Sequence, residues 1–250
     1  MDLTGATTLV TGASRGIGRR IATRFAELGA EVAVVARDSG RLAETLELVT
    51  AEGVKGAMSV GDVTDEAQVH RIVEEVVDAL GPIDVLVNNA GRNIQGPLTE
   101  FSLQDWNAIM AVNATGPFLL CRSVGAEMVA RGDGAIVNIA STMSLVGSDR
   151  MQTPYAASKG AVAQLTRSLA AEWAEVGVRV NAVAPTYVPT DINAAYLSDP
   201  ARRDAAMAAI PMRRFATADE VANAVAFLAS PWSSGTTGAI LPVDCGYLAV

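Results

Sequence analysis

Short apolar segments rich in β-branched residues alternate with longer amphipathic segments along the whole chain. The short segments predict β-strands at residues 7–11, 31–36, 56–60, 83–87, 135–140, 178–184 and 239–243. The longer segments predict helices between them, including 41–51, 66–80, 103–131, 156–176 and 217–229. Because strands that alternate with helices form parallel sheets, we expect an α/β fold with a doubly wound parallel sheet of about seven strands.

The alternation continues through all 250 residues without a repeat or a linker, and half of the residues are hydrophobic. A chain of this length can bury one substantial core, so residues 1–250 are predicted to form a single domain. The longest interruption of the strand–helix alternation is the alanine-rich segment 191–212, which contains Pro200. We expect a mobile lid over a substrate site at about residues 190–213.

Charge and composition exclude several classes of function. The formal net charge is -8 and the sequence pI is about 4.7, so no nucleic-acid partner is expected, because a polyanion requires clustered Lys and Arg. Cys121, Cys245 and the single His70 are scattered, which excludes a disulfide framework and a His/Cys zinc site, and no metal is predicted. The N-terminus lacks a signal-peptide pattern and no segment has about 18 consecutive apolar residues, so we predict a cytoplasmic protein with no membrane partner.

A glycine-rich turn follows the first predicted strand. Residues 12–18 read GASRGIG and lead into an apolar-periodic segment, which predicts a strand, a turn and a helix. Backbone N–H groups at such a helix start can approach a phosphate, which the helix dipole also favours. The spacing G-x-x-x-G-x-G differs from the better known G-x-G-x-x-G fingerprint, and close packing of strand and helix is the alternative interpretation.

The end of the second strand bears on the choice of cofactor. An NAD-binding fold would place an acid there to hold the ribose 2′-hydroxyl, whereas this chain has Ala36 followed by Arg37. Arg15, inside the glycine turn, could add a second positive charge beside a 2′-phosphate. We therefore predict NADP and keep NAD as the alternative, because Asp38 could pair with Arg37 or accept from a ribose hydroxyl. Solvation at a surface turn is the other interpretation of both arginines.

Three further polar features are candidate site residues, two of them at strand ends and one inside a helix. Asp62 follows the third strand and could accept a hydrogen bond from an adenine amino group. The cluster 88–91, NNAG, follows the fourth strand at the carboxyl edge of the sheet, where open α/β sheets bind ligands. Asn113 lies inside an otherwise apolar helical stretch and therefore needs a partner or a role.

Tyr155 and Lys159 are four residues apart in a predicted helix, so their side chains share one face. A phenol with a pKa of roughly 10 is a poor acid–base catalyst near neutral pH, but a nearby ammonium favours the phenolate and lowers that pKa. The pair predicts a tyrosine that donates and accepts protons. The alternative interpretation is an ordinary pair on an exposed helix.

These motifs occur in a particular order: TGASRGIG at 11–18, Asp62, NNAG at 88–91, Asn113, Ser141 and YAASK at 155–159. With them the chain resembles the short-chain dehydrogenase/reductase family over essentially its whole length. The resemblance implies a single-domain Rossmann-type fold with helices on both faces of the sheet. It also implies hydride transfer between a nicotinamide and a small ketone or secondary alcohol, and a homotetramer formed through the helices that carry Asn113 and Tyr155.

The resemblance assigns roles to individual residues. Tyr155 would be the acid in reduction and the base in oxidation, Ser141 would bind the substrate oxygen, and Lys159 would lower the tyrosine pKa and bind the nicotinamide ribose. Asn113 would hold a water of the proton relay. Together with the motif analysis, these roles predict cofactor contacts at Gly12, Ser14, Arg15, Gly16, Ile17, Gly18, Arg37, Asp62, Val63, Asn89, Ala90, Gly91, Tyr155, Lys159, Pro185, Val188 and Thr190. Val188 and Thr190 would contact the nicotinamide carboxamide.

The substrate is predicted less sharply than the reaction. Substrate contacts are expected at Ser141, Met143, Gln152 and Tyr187, with Asn93, Ile94, Gln95 and Met151 as further wall residues. The amide groups among them favour a sugar or polyol, and a 3-oxoacyl-thioester reductase is the alternative. A nicotinamide-binding module without chemistry is a different class of function, which the complete set of catalytic residues disfavours.

The chain departs from the family pattern at three places. Thr186 replaces the usual glycine after Pro185, which adds bulk beside the nicotinamide, and Cys245 interrupts the usual Asp-Gly-Gly near the carboxyl terminus. Ser141 and Tyr155 are 14 residues apart (155 minus 141), so the substrate loop at 142–154 is predicted to carry an insertion.

Overall fold

The computed structural model describes residues 1–147, 149–190 and 197–250. Ser148 of the predicted substrate loop and residues 191–196 of the predicted lid lie outside the described residues. The strands are β1 (Thr7–Thr11), β2 (Glu31–Ala36), β3 (Gly56–Val60), β4 (Val85–Asn88), β5 (Gly134–Ile139), β6 (Val178–Pro185) and β7 (Ile240–Val243). They form one parallel sheet of seven strands in the order β3-β2-β1-β4-β5-β6-β7, which confirms the predicted Rossmann-type fold class.

Helices connect the strands and cover both faces of the sheet. They are α1 (Gly16–Glu27), α2 (Ser39–Thr50), α3 (Glu66–Leu80), α4 (Leu103–Met110), α5 (Gly116–Arg131), α6 (Thr153–Trp173), α7 (Pro200–Ala208) and α8 (Ala218–Ala229). Short 3₁₀ turns occur at Leu98–Glu100, Thr142–Ser144, Ala174–Val176, Pro231–Ser233 and Tyr247–Ala249. None of the helices described here is both long enough and apolar enough to cross a membrane.

The core consists of two main apolar layers, one on each face of the sheet. Successive strand residues enter opposite layers, as Leu9 and Val10 of β1 do. Phe25 of α1 and Val225 of α8 pack in the layer of Val10, whereas Ile72 of α3 packs in the layer of Leu9. Burial on both faces explains why the central strands read as mostly apolar runs, whereas the edge strands β3 and β7 are partly exposed.

One predicted helix is divided in the structure. The stretch 103–131 was predicted as a single helix, but α4 and α5 are separated by one π-helical segment, Ala111–Thr115. Such a segment inserts one extra residue into the turn and rotates the side chains that follow it. Asn113 lies in this segment and is fully buried.

The helix that carries Tyr155 and Lys159 begins earlier than predicted. It begins at Thr153 rather than at residue 156, with Pro154 in its first turn, where the missing N–H of proline has no helical partner to lose. Tyr155 therefore lies inside the first turn, one helical turn before Lys159, on the same face.

The described part of the predicted lid is ordered around α7. Asp199 caps this helix by accepting hydrogen bonds from the backbone N–H groups of Ala201 and Arg202. Ala206 and Ile210 are buried. Opening and closing of this segment over a substrate stays a prediction.

Candidate active site

A cleft of about 670 Å³ opens at the carboxyl ends of the strands. It lies beside β1 and β4, where the strand order reverses, and such a switch point is the usual ligand site of an open α/β sheet. Every residue predicted to contact the cofactor lines this cleft: Gly12, Ser14, Arg15, Gly16, Ile17, Gly18, Arg37, Asp62, Val63, Asn89, Ala90, Gly91, Tyr155, Lys159, Pro185, Val188 and Thr190.

The glycine turn between β1 and α1 has room only for glycine at key positions. Gly12 and Gly16 have φ angles of 64° and 56°, which side chains other than glycine rarely adopt. A Cβ at Gly18 would lie 2.3 Å from Asn89 Nδ2 and 2.3 Å from the Gly12 oxygen. The side chain of Arg15, the residue preceding α1, makes no capping hydrogen bond, so the first backbone N–H groups of the helix suit an anion. The turn therefore fits the pyrophosphate of a dinucleotide.

Positively charged side chains gather beside the end of β2. Arg15, Arg37 and Arg41 all line the cleft there, an arrangement that fits a 2′-phosphate. Arg37 is 3.5 Å from the carboxylate of Asp62, so the structure pairs it with Asp62 rather than with Asp38, the partner that was considered as one possibility. Asp38 instead accepts from the backbone N–H of Arg41 at 3.1 Å and caps α2. Sequence analysis missed Arg41, although its spacing of four residues from Arg37 was a signal.

Asp62 is held at the end of β3 by local hydrogen bonds. Its Oδ1 accepts from the backbone N–H of Thr64 at 3.0 Å and from the Thr64 hydroxyl at 2.9 Å. Burial opposes ionisation, but the bonds from Thr64 and the charge of Arg37 lower the pKa of Asp62 below its ordinary value. The carboxylate is charged near neutral pH, and its contact with an adenine amino group stays a prediction.

Ser141, Tyr155 and Lys159 meet at the other end of the cleft. Burial raises the pKa of Tyr155, and the hydrogen bond with the Ser141 side chain acts in the opposite direction. Lys159 Nζ lies 5.8 Å from the centroid of the tyrosine ring and donates to the Ile139 carbonyl oxygen at 2.6 Å. Burial lowers the pKa of Lys159 to about 8. Desolvation of the phenol thus outweighs the Ser141 hydrogen bond in this structure, and a lowering of the tyrosine pKa by Lys159 stays a prediction.

Asn113 lies behind the cleft rather than on its surface. Its Oδ1 accepts from the backbone N–H of Arg92 at 2.7 Å, and its Nδ2 donates to the Arg92 carbonyl oxygen and to Ser158 Oγ, both at 2.9 Å. The Ser158 hydroxyl in turn donates to the carbonyl oxygen of Tyr155 at 2.7 Å. Both N–H groups of the Asn113 amide are thus used within the chain, and its predicted water contact stays a prediction.

The predicted substrate residues divide into two groups. Ser141 lines the cleft, whereas Met143, Gln152 and Tyr187 do not, so their contact with a substrate stays a prediction. Gln152 is buried, and Tyr187 accepts a hydrogen bond from Arg150, whose guanidinium also lies 4.9 Å from the centroid of its ring.

The segment after NNAG contributes two residues to the cleft. Arg92 and Asn93 line it, whereas the predicted wall residues Ile94, Gln95 and Met151 do not. Asn93 Oδ1 is buried and accepts no hydrogen bond from the residues described. Sequence analysis missed Arg92 and Ser158, although Arg92 directly follows NNAG and Ser158 lies within YAASK.

Cys121 and Cys245 do not line the cleft, whereas Thr186 does. Cys121 and Cys245 are free, and burial raises the pKa of the Cys121 thiol to about 12. Cys245 has a φ of 53°, a conformation in which the glycine of the family pattern costs less. Thr186 lines the cleft, as its position beside Pro185 predicted. In residues 1–147, 149–190 and 197–250, no group of His, Cys, Asp and Glu side chains could hold a metal ion.

Comparisons with known proteins cover almost the whole chain. A family model described as Enoyl-(Acyl carrier protein) reductase matches residues 12–248. Gluconate 5-dehydrogenase of Gluconobacter oxydans (strain 621H) is 39% identical over 245 residues, covering 98% of this chain and 95% of that protein. Galactitol 2-dehydrogenase of Rhizobium johnstonii is 42% identical over 247 residues, covering 98% and 96%. The crystal structure of a gluconate 5-dehydrogenase from Burkholderia cenocepacia J2315 in complex with NADP and tartrate is 38% identical, with a TM-score of 0.95 over 100% of this chain and 97% of that one.

Proposed function

The chain belongs to the short-chain dehydrogenase/reductase family, and on that premise we propose that it transfers hydride between NADP(H) and a small secondary alcohol or ketone of the sugar or polyol type. The ordered motifs predicted this family, and the match over residues 12–248 confirms it. The observation that carries the proposal is that Ser141, Tyr155 and Lys159 line the same cleft as the glycine turn. The proposed proton donor and the glycine turn that fits the dinucleotide phosphates thus lie in one cleft.

The residues of the chain divide the work as follows. The bound nicotinamide supplies hydride for reduction or takes it up in oxidation. A substrate oxygen that gains negative charge needs preplaced donors, and the hydrogen-bonded hydroxyls of Ser141 and Tyr155 suit that role. The raised pKa of Tyr155 keeps its proton on the phenol near neutral pH, ready for donation during reduction.

Lys159 supports the site by position and charge. Its ammonium has three donors, one of which is fixed by the Ile139 carbonyl oxygen. A Cβ at Gly91 would lie 3.8 Å from Nζ, so the ammonium sits directly beside the NNAG turn. We assign its remaining donors to hydroxyls of the nicotinamide ribose.

Two features support a sugar or polyol substrate. Amide groups and hydroxyls dominate the reacting end of the cleft, where Asn93 Oδ1 accepts no hydrogen bond from the described residues. The two curated relatives reported above are named for gluconate and galactitol, both of which are polyhydroxylated. The alternative, a 3-oxoacyl-thioester reductase, has support in the description of the family model.

Tyr155→Phe tests the assigned proton donor, because it removes one oxygen and keeps the ring. We expect turnover to fall by about 100-fold or more, as for loss of a general acid–base group, while NADPH binding measured by fluorescence titration is retained. Tyr247→Phe, outside the cleft, is the matched control. Undiminished turnover in Tyr155→Phe would refute the assignment.

A substrate panel separates the proposed function from its alternatives. It should include sugars, polyols, sugar acids and 3-oxoacyl thioesters, with both cofactors and in both directions. Turnover only of the thioester would favour the alternative enzyme. Tight NADPH binding without turnover of any compound would instead favour a binding module that acts without chemistry.

We also propose a homotetramer and a cytoplasmic location. Leu103 of α4 and Phe118 of α5 are 73% and 46% exposed, and exposed apolar side chains on these helices suit a subunit interface. Sedimentation that yields only a monomer would contradict the assembly. A cytoplasmic location would supply the NADP(H) pool, and cell fractionation would test it.

A further inference from the structure

Arg92 is held at the reacting end of the cleft by its backbone rather than by its side chain. Asn113 accepts from its N–H at 2.7 Å and donates to its carbonyl oxygen at 2.9 Å. Asn113 is itself fully buried and bonded to Ser158. The preceding residue, Gly91, lies beside Lys159 Nζ. This clamp fixes the point from which the Arg92 side chain begins, close to the catalytic lysine.

The Arg92 side chain differs from the other arginines described around the cleft. Arg37 is paired with Asp62 and Arg41 with Asp38, at distances of 3.5 and 3.7 Å. Arg92 lines the same cleft, is exposed, and forms no ion pair with a carboxylate in the part of the chain that the structure describes. A guanidinium in this state can receive a carboxylate through two parallel hydrogen bonds.

The position of Arg92 separates its ligand from the cofactor phosphates. Arg15, Arg37 and Arg41 lie beside the end of β2, whereas Arg92 follows β4 and comes directly after Gly91, where an added Cβ would lie 3.8 Å from Lys159 Nζ. An anion at Arg92 would therefore belong to the substrate. The net charge of -8 repels anions at long range, so an anionic substrate would need a local cation at the site.

We propose that Arg92 binds the carboxylate of a sugar acid and sets a preference for aldonates and ketoaldonates over neutral polyols. The buried acceptor Asn93 Oδ1, next to it, would take a hydrogen bond from a hydroxyl of the same substrate. This inference rests on the proposed function and narrows its substrate class. The interaction is a specificity contact, because Arg92 holds the end of the substrate rather than the reacting atoms.

The test compares D-gluconate with D-glucitol, which carries a primary alcohol in place of the carboxylate. With NADP⁺, we expect Arg92→Gln to lower kcat/KM for gluconate by about 10- to 100-fold, mainly through KM, and to change the value for glucitol by less than about threefold. Arg92→Lys should recover part of the loss, because it restores the charge but not the paired donors. Arg122→Gln, which removes an exposed arginine outside the cleft, is the matched control.

Ionic strength provides a readout that a structural role would not change. The kcat/KM for gluconate should fall with added salt in the parent enzyme and become insensitive to salt in Arg92→Gln. Equal losses for both substrates, or a parent enzyme that prefers glucitol, would overturn the role of Arg92 while the proposed function stands. A parent enzyme that turns over no sugar, polyol or sugar acid would overturn both.

Discussion

Replacing Ser158 with alanine tests whether the buried hydrogen bonds behind the cleft position Tyr155, the proposed general acid. The Ser158 hydroxyl accepts from Asn113 Nδ2 at 2.9 Å and donates to the Tyr155 carbonyl oxygen at 2.7 Å. It thereby connects the Arg92 segment, through Asn113, to the first turn of α6. The residue is fully buried and does not line the cleft, so it cannot touch a substrate.

The size of the effect follows from the groups that lose a partner. Ser158→Ala leaves one N–H of Asn113 unsatisfied in the interior, at a cost of about 1–3 kcal/mol. The Tyr155 carbonyl oxygen keeps its helical partner within α6, and alanine returns about 0.5 kcal/mol of helix propensity. We therefore expect a net loss of about 1–2 kcal/mol, or about 2–4 °C in Tm for a chain of this size.

The assay combines thermal unfolding at one fixed protein concentration with steady-state kinetics. A small displacement of Tyr155 should lower kcat by about tenfold, while NADPH affinity changes little. Ser168→Ala is the matched control, because Ser168 is exposed on the same helix. A Tm and kcat equal to those of the control would refute the reasoning. A lower Tm with unchanged kcat would show that Ser158 stabilises the fold but does not position Tyr155 for catalysis.

Two further predictions concern charged residues. Arg37→Asp should raise KM for NADPH by about tenfold or more and improve the relative use of NADH, because the change removes a cation from the proposed 2′-phosphate site. Equal KM values for NADPH and NADH in the parent enzyme would contradict this prediction. Glu220→Gln should lower stability at pH 7 by about 1 kcal/mol, because Glu220 pairs with Arg214 and caps α8 but is 37% exposed. The Arg214 hydrogen bond lowers the pKa of Glu220 to about 2. The contribution of Glu220 to stability is therefore complete above its ordinary pKa of 4.5 and is lost as the pH falls through 2. A difference in stability between parent and variant that persists below pH 2 would contradict this prediction.

The central strands β1, β2, β4, β5 and β6 were predictable because they are buried on both faces and read as mostly apolar runs, whereas the edge strands β3 and β7 are partly exposed. β1, β2 and β3 begin and end at the predicted residues, and the other strands differ by one or two residues at their ends. Pro242 lies in β7, the last strand of the sheet, where an edge position tolerates a residue without a backbone N–H. Local patterning is sufficient here, because no distant contact competes with it.

The π-helical segment was not predictable from the same kind of pattern. The apolar period is continuous through 103–131, and the segment forms where Asn113 bonds to the backbone of Arg92, 21 residues earlier. A tertiary contact of this kind leaves no periodic signal. The one indication in the sequence was Asn113 itself, a polar residue in an apolar helical stretch, and it lies in the π-helical segment.

The cofactor side of the cleft was easier to predict than the substrate side. Its residues follow directly from strand ends and from the glycine turn, both of which are local features. The substrate side is formed by loop residues that no strand end or glycine turn marks, and Met143, Gln152 and Tyr187 do not line the cleft. Arg92 was missed because its importance depends on the clamp by Asn113, which only the tertiary structure contains.

Burial shifts the pKa values of Tyr155 and Lys159, the proposed catalytic pair, in opposite directions. It raises the pKa of Tyr155 and lowers that of Lys159, since desolvation disfavours the charged form of each. Between pH 8 and the ordinary lysine pKa of 10.5, Lys159 binds more protons in the unfolded chain than in the folded one, so the stability of the fold rises with pH over this range. The cost of burying the ammonium is therefore greatest below pH 8. The fold retains this unfavourable cation next to the NNAG turn and Ile139. An apolar side chain of similar size in this place would make the fold more stable. A buried charge that lowers stability is expected where it binds a ligand.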